Sequence, residues 1–219
     1  LKVNHFFYVP APRCQSRVSS RLICQWTAED LNRAHHRTYF FTMGKFTFQH
    51  IYEFPWELVT HTHLTKYPTE KEKNIVGSEV VESKKGPGNL IYLKVVVTCL
   101  NVLPSVFRKL KVLDVPNILY EEECWIDTKR RIAQLKSKPL GYQNYAVLSE
   151  SSTFSPASEN PNWTLFTQEG VIEMIGFGRM SWLIEVFATK FLTRGAKRNV
   201  TIMEELMKER LAAFKLLAQ

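Results

Sequence analysis

Residues 74–101 read NIVGSEVVESKKGPGNLIYLKVVVTCLN, two β-prone runs either side of Lys85-Gly86-Pro87-Gly88. Val, Ile and Tyr fill the arms, and the centre is a turn with a mechanism: proline fixes φ while glycine takes positive φ at no steric cost. The pattern predicts strands over 74–84 and 89–101, antiparallel because a tight turn joins them. Upstream, 45–52 alternates, with Phe46, Phe48, His50 and Tyr52 on one face. Pro55 then suits the first turn of a short helix, where its missing N–H is no loss. That helix carries Trp56, Val59 and Leu64 and ends before Pro68, since the residue preceding a proline avoids the α region. Downstream, 117–126, 131–138, 142–153 and 163–176 supply four more strands. A long cationic amphipathic helix over about 180–217 closes the chain. The fold class expected is α+β: about seven antiparallel strands in a curved sheet, gripping a long C-terminal helix around a pocket.

At 219 residues, with 45% hydrophobic and 23% charged side chains, the chain supports one well-buried core. No apolar run approaches the roughly 18–20 residues that a membrane-spanning helix needs, so any membrane contact of these segments is peripheral. The net charge of +8 suits nucleic acid, anionic lipid or an acidic protein equally. Part of it lies in 1–42, where Lys2, Arg13, Arg17, Arg21, Arg33 and Arg37 face only Glu29 and Asp30. That stretch shows neither a helical nor a strand period. It is expected to be a basic, disordered extension outside a domain spanning 43–219, with a mitochondrial presequence as the alternative. Cys14, Cys24, Cys99 and Cys124 form no C-x-x-C pair and no metal spacing, and Cys99 and Cys124, in strand-like segments, are expected to be buried free thiols.

Two segments stand out as functional. Residues 102–116 (VLPSVFRKLKVLDVP) are too apolar for an ordinary solvated loop. Leu103, Pro104, Val106, Phe107, Leu110, Val112 and Leu113 are interspersed with Arg108, Lys109 and Lys111. This is either a loop folded back on the core or a mobile lid that covers the pocket mouth and touches a membrane. In the last helix, Leu183, Phe187, Lys190, Arg194 and Lys197 follow steps of three and four, giving a face that begins apolar and turns cationic. Lys190 and Lys197 stand about 10 Å apart along the axis. They can bracket a phosphate between them or form a solvated basic stripe.

No catalytic or nucleotide-binding motif occurs: no G-x-S-x-G, H-E-x-x-H, P-loop or G-x-G-x-x-G. His61 and His63, two apart on a helix, diverge and read as surface residues. Within Glu121-Glu122-Glu123, strand alternation sends the middle carboxylate to the opposite face from its neighbours. The strand aromatics read as core rather than as a stacking platform, so no nucleic-acid partner is expected. An apolar pocket with cationic groups and no catalytic constellation describes a carrier of something apolar with an anionic end. No metal or cofactor is expected.

Met43 followed directly by a strand, then Lys66-Tyr67-Pro68, Leu103-Pro104, Asn160-Pro161-Asn162-Trp163-Thr164 and Thr189-Lys190-Phe191 come in a distinctive order. Across about 43–210 these strings resemble the PRELI-domain family of mitochondrial phospholipid-transfer proteins, slowmo and the yeast Ups proteins among them. The resemblance implies that the pocket holds lipid, and that the protein is no enzyme but a carrier. Its cargo would cross between mitochondrial membranes through the intermembrane space. It also implies pairing with a small twin Cys-x9-Cys helical-hairpin protein. Family headgroup contacts fall on Lys66, Lys190 and Lys197. A further family lysine falls near Thr98, whose hydroxyl brings no charge, and charge-assisted hydrogen bonds are roughly twice as strong as neutral ones. The implied ligand is therefore phosphatidic acid or another anionic phospholipid. The missing charge also leaves room for an alternative of the same fold: a non-transporting adaptor that binds the hairpin partner.

Overall fold

The computed structural model describes residues 40–42, 44–109, 111–142, 144, 146–174 and 180–217. In chain order they form β1 (Phe40–Thr42), β2 (Lys45–Tyr52), α1 (Trp56–Thr65), β3 (Ile75–Lys85), β4 (Leu90–Leu100) and α2 (Ser105–Arg108). A 3-10 turn (Lys111–Leu113), β5 (Asn117–Asp127), β6 (Ile132–Pro139), β7 (Ala146–Pro156), β8 (Thr164–Met174) and α3 (Met180–Leu217) follow. All strands join one antiparallel sheet in the order β1-β2-β8-β7-β6-β5-β4-β3. Among the described residues one crossover carries α1 from β2 to the opposite edge, and from β3 onward the sheet is a meander. The expected α+β fold is what forms: seven of the strands are the expected ones, gripping α3.

The eighth, β1, was not foreseen. Its three residues pair with β2 in the register Phe40↔Thr47 to Thr42↔Lys45, and Gly44 in the turn has φ +75°. The strand precedes the expected boundary at 43, and three residues are too few to display a period in the sequence. The remainder of the expected extension, 1–39, lies outside the described residues, as does Met43. Strand β7 also runs later than expected, to Pro156. The Asn160 turn is tight, with Trp163 N–H donating to Asn160 O at 2.8 Å and Ala157 N–H to Trp163 O at 2.9 Å.

Burial follows alternation. Phe46, Phe48, His50 and Tyr52 are all buried, as the single-face reading of β2 requires. On the outer face Glu121 meets Lys94 at 3.3 Å and Lys138 at 3.2 Å, and Glu123 accepts from Tyr92 Oη at 2.7 Å. Cys99 and Cys124 are free thiols. The main core joins Phe48, Tyr52, Phe154 and Phe166 of the sheet to Val200, Met203 and Met207 of α3. Steps of three and four put these helix residues on one stripe. Trp56 anchors α1 across them, its indole N–H donating to Phe154 O at 3.1 Å. Gly170 is needed for close packing: a Cβ there would lie 1.9 Å from Phe46 Cε1. Gly170→Ala is expected to cost about 1–3 kcal/mol by overpacking, visible as a lowered melting temperature. An unchanged melt would mean that β2 and β8 part without cost.

Candidate functional site

The second half of α3 is packed solid against the sheet, whereas its first half stands off and leaves a cavity of about 630 Å³. Ligand sites fall in this size range. Val95 and Val97 of β4, Ile118 of β5, Leu135 of β6, Leu148 of β7 and Ile172 of β8 form one wall, facing Phe187, Phe191 and Leu192 of α3. The 102–116 segment closes one end. Phe107 and Leu113 are buried with Ile184, and the Phe107 and Phe187 rings lie 5.4 Å apart. Leu103 and Val112 pack beside them, while Pro104 starts α2. Asn101 ties the base of this segment. Its Nδ2 donates to Leu113 O at 2.8 Å and Val115 O at 2.7 Å, and its Oδ1 accepts from Leu103 N–H at 3.1 Å. The segment thus packs on α3 and covers one end of the cavity, an arrangement that both readings of it share. Leu110 lies outside the described residues, and for Val106 only the backbone is described.

One buried cation dominates the polar part of the lining. Lys66 follows α1 directly and is only 7% exposed. Its ammonium donates to Asn199 Oδ1 at 2.9 Å and His63 Nδ1 at 3.1 Å, and sits 5.0 Å from the centre of the Tyr67 ring. Among the described residues no carboxylate reaches it within ion-pair distance. Burial lowers its pKa to about 8, with Glu122 opposing the shift from further away. Burial and the Lys66 charge likewise hold His63 below its usual value, so its imidazole is neutral at pH 7. Arg194 and Arg198 line the same cavity. Arg198 is fixed by Glu72 at 3.3 Å and by Lys71 O at 3.0 Å.

Of the residues singled out from the sequence as functional, Lys66, Leu103, Leu113, Phe187 and Arg194 line the cavity, the last two at one flank of the inward face of α3. Lys190, Lys197 and Thr98 are not among its lining residues, so the geometry does not assemble a headgroup site from Lys66, Lys190 and Lys197 together. The inward stripe of α3 is Ile184, Ala188, Phe191, Gly195 and Asn199. It lies about 100° round the helix from the stripe read in the sequence, because successive residues differ by that angle. Lys190 is exposed, whereas Lys197 is half-buried. Thr98 points to the outer face beside Gly77, its flanking Val97 and Cys99 turning inward. His63, expected at the surface, faces the cavity because steps of three and four from Trp56 and Val59 bring it inside. His61 is exposed as expected. The sequence reading missed Arg198, Asn199, Glu122 and Glu150 as lining groups. For the two glutamates the signal was present: each shares strand parity with buried residues, Cys124 and Phe154 respectively. Among the described residues no group of three or more His, Cys, Asp or Glu side chains could hold a metal. No described helix is long and apolar enough to cross a membrane.

A sheet gripping one long helix over an apolar cavity defines a class of folds. The Zhui aromatase/cyclase of a Streptomyces species superposes with a TM-score of 0.54 at 10% identity, covering 76% of this chain and 94% of its own. A Thermus thermophilus protein gives 0.52 at 14% identity, with 77% and 98% covered. These likenesses establish the helix-grip fold and nothing of the chemistry. Within it, the PRELI-like family profile matches residues 57–213, and the chain belongs to that family. A protein slowmo homolog of Dictyostelium discoideum is 28% identical over 161 residues, covering 73% of this chain and 69% of the relative. A UPS-like protein of Schizosaccharomyces pombe is 27% identical over 162 residues, covering 73% and 86%.

Proposed function

We propose that this chain is a non-enzymatic phospholipid carrier that moves its cargo between mitochondrial membranes through the intermembrane space. The observation carrying this reading is the buried ammonium of Lys66, which no carboxylate among the described residues reaches within ion-pair distance, in a largely apolar cavity. An ammonium taken out of water is costly unless an anion meets it, and a lipid phosphate supplies one. The phosphate sits against Lys66, with Arg198 and Arg194 adding charge, and the acyl chains run along Val95, Val97, Phe187 and Phe191. The 102–116 segment, which covers one end of the cavity, lifts for loading. Its basic residues and the exposed face of α3 approach an anionic bilayer, each cation near the surface contributing roughly 1 kcal/mol. A twin Cys-x9-Cys hairpin protein is the proposed partner. No bond is made or broken.

Native mass spectrometry after incubation with mixed-lipid vesicles tests the reading. The expected species is one phospholipid per chain. A folded chain that stays empty would refute the carrier and favour the adaptor.

Lys66 also gives the binding a pH dependence. Its folded, unliganded pKa is about 8, so the charged form is present below that value and must be regenerated by proton uptake above it. Affinity for a phosphodiester lipid, whose own charge is constant here, should fall about tenfold between pH 7 and pH 9. In Lys66→Arg, whose side chain stays charged, the profile should change by no more than about twofold, the part that Glu150, with its pKa of about 7, contributes. A flat profile in the parent chain would mean that Lys66 does not meet the phosphate.

A further inference from the structure

We infer that Glu122, Glu150 and His63 form a headgroup-reading subsite on the cavity floor. It selects a cargo whose headgroup carries hydrogen-bond donors, ammonium or hydroxyl, beside its phosphate. The inference rests on the carrier reading above and specifies its cargo.

The strand register provides the first support. Glu122 of β5 is paired with Ser137 of β6, and Ser137 with Glu150 of β7. All three side chains line the cavity, so a polar row crosses the middle of an apolar wall. Two strand spacings separate the carboxylates, about 10 Å between backbones, which is room for a headgroup arm. Pure solvation of acyl chains gives no reason for this row, because a buried carboxylate without donors is penalised.

The second support is an unpaired donor. The His63 side chain is 10% exposed and its Nε2 has no hydrogen-bond partner among the described residues. The nearest oxygen, Glu122 Oε1, is 3.8 Å away, too far for a hydrogen bond. Lys66 can only donate, so His63 Nδ1 accepts from it and the proton of the neutral ring is on Nε2. A cavity-lining N–H therefore lacks its acceptor, next to a carboxylate with acceptor capacity to spare.

Glu150 supplies the other end. Gln168 Nε2 donates to its Oε2 at 2.6 Å, yet a carboxylate can accept about four such bonds. Burial first, and then the neighbouring Glu122 charge, lift its pKa to about 7, a shift that an arriving cation would reverse. Glu122 itself is held below its usual range: burial pushes it up, but the His63 ring 3.8 Å away, the Lys66 charge and the Cys124 S–H at 3.6 Å together outweigh burial. The cluster thus runs from donors at Lys66 and His63 to acceptors at Glu122 and Glu150. A zwitterionic or hydroxylated headgroup satisfies both ends. A bare phosphate monoester satisfies only the first, and brings a second negative charge toward two carboxylates.

The test incubates the full chain with vesicles holding equal amounts of phosphatidic acid, phosphatidylserine, phosphatidylethanolamine and phosphatidylglycerol, then identifies the bound lipid by mass spectrometry. The parent chain should enrich donor-bearing headgroups over phosphatidic acid by about tenfold. Enrichment of the amino lipids would identify ammonium as the donor, and enrichment of phosphatidylglycerol would identify hydroxyl. E122Q/E150Q should bind one lipid still, with that preference reduced about tenfold. Phosphatidic acid bound best by the parent chain, or a preference unchanged in a folded E122Q/E150Q, overturns the subsite and leaves the carrier intact. No lipid on the folded parent chain overturns both. The parent measurement decides even if the double variant fails to fold.

Discussion

Lys66→Ala combined with Arg198→Ala should lower lipid loading by about 100-fold or more, with the domain still folded. Each charge-assisted hydrogen bond to a phosphate contributes about 1.5–3 kcal/mol, and every 1.4 kcal/mol is tenfold in affinity. Lys66 is the stronger contributor, being desolvated and without a carboxylate, while Arg198 already shares its charge with Glu72. Folding should survive because Lys66 contributes no apolar packing to the main core and Arg198 lies at the cavity rim. The matching control is Lys190→Ala with Lys197→Ala, since neither residue lines the cavity. With lipid supplied in detergent micelles, membrane attraction drops out and this control should load within about threefold of the parent chain. Equal losses in the two double variants would transfer the headgroup site to the outer face of α3.

Trp56→Ala should be the most damaging single change to stability. Trp56 is 4% exposed, and its indole N–H is bonded to Phe154 O. Truncating a buried Trp costs about 3–5 kcal/mol, and for a chain of this size each kcal/mol lowers the melting temperature by about 2–4 °C. A fall of roughly 10 °C or more is therefore expected by calorimetry. The functional consequence follows from position: α1 carries His63 and places Lys66 at its end, so a loosened α1 moves the buried ammonium. Lipid loading should weaken in Trp56→Ala even at a temperature where the sheet is intact. A melt within a few degrees of the parent would show that α1 is held elsewhere, for example by Arg131–Glu57 at 2.7 Å and Arg210–Thr65 Oγ1 at 2.8 Å.

What could be read without coordinates was what local physics controls. The turn at 85–88, the parity of β2 and the opposite facing of Glu122 and its two neighbours depend on residues a few positions away, and each formed as expected. The rotational phase of α3 did not. Two stripes, one through Lys190 and Lys197 and one through Phe191 and Asn199, both begin apolar and both follow helical steps. Docking of Val200, Met203 and Met207 on the sheet chooses between them. Extending the stripe backwards from Met207 through Val200 reaches Ala196 and Leu192, which mark only one flank of the inward face. His63 was misplaced for a related reason: comparison with His61 hid its alignment with Trp56 and Val59. The partnerships that build the site join residues more than a hundred positions apart, as Lys66 with Asn199 and Arg198 with Glu72 do. No periodicity reports such pairs.

The most direct test of the carrier reading is vesicle-to-vesicle transfer of a labelled phospholipid by the full chain. Acceleration over the protein-free rate, saturating with donor vesicles and lost in the Lys66→Ala, Arg198→Ala variant, is the result expected. Transfer at the protein-free rate by a folded parent chain would contradict it.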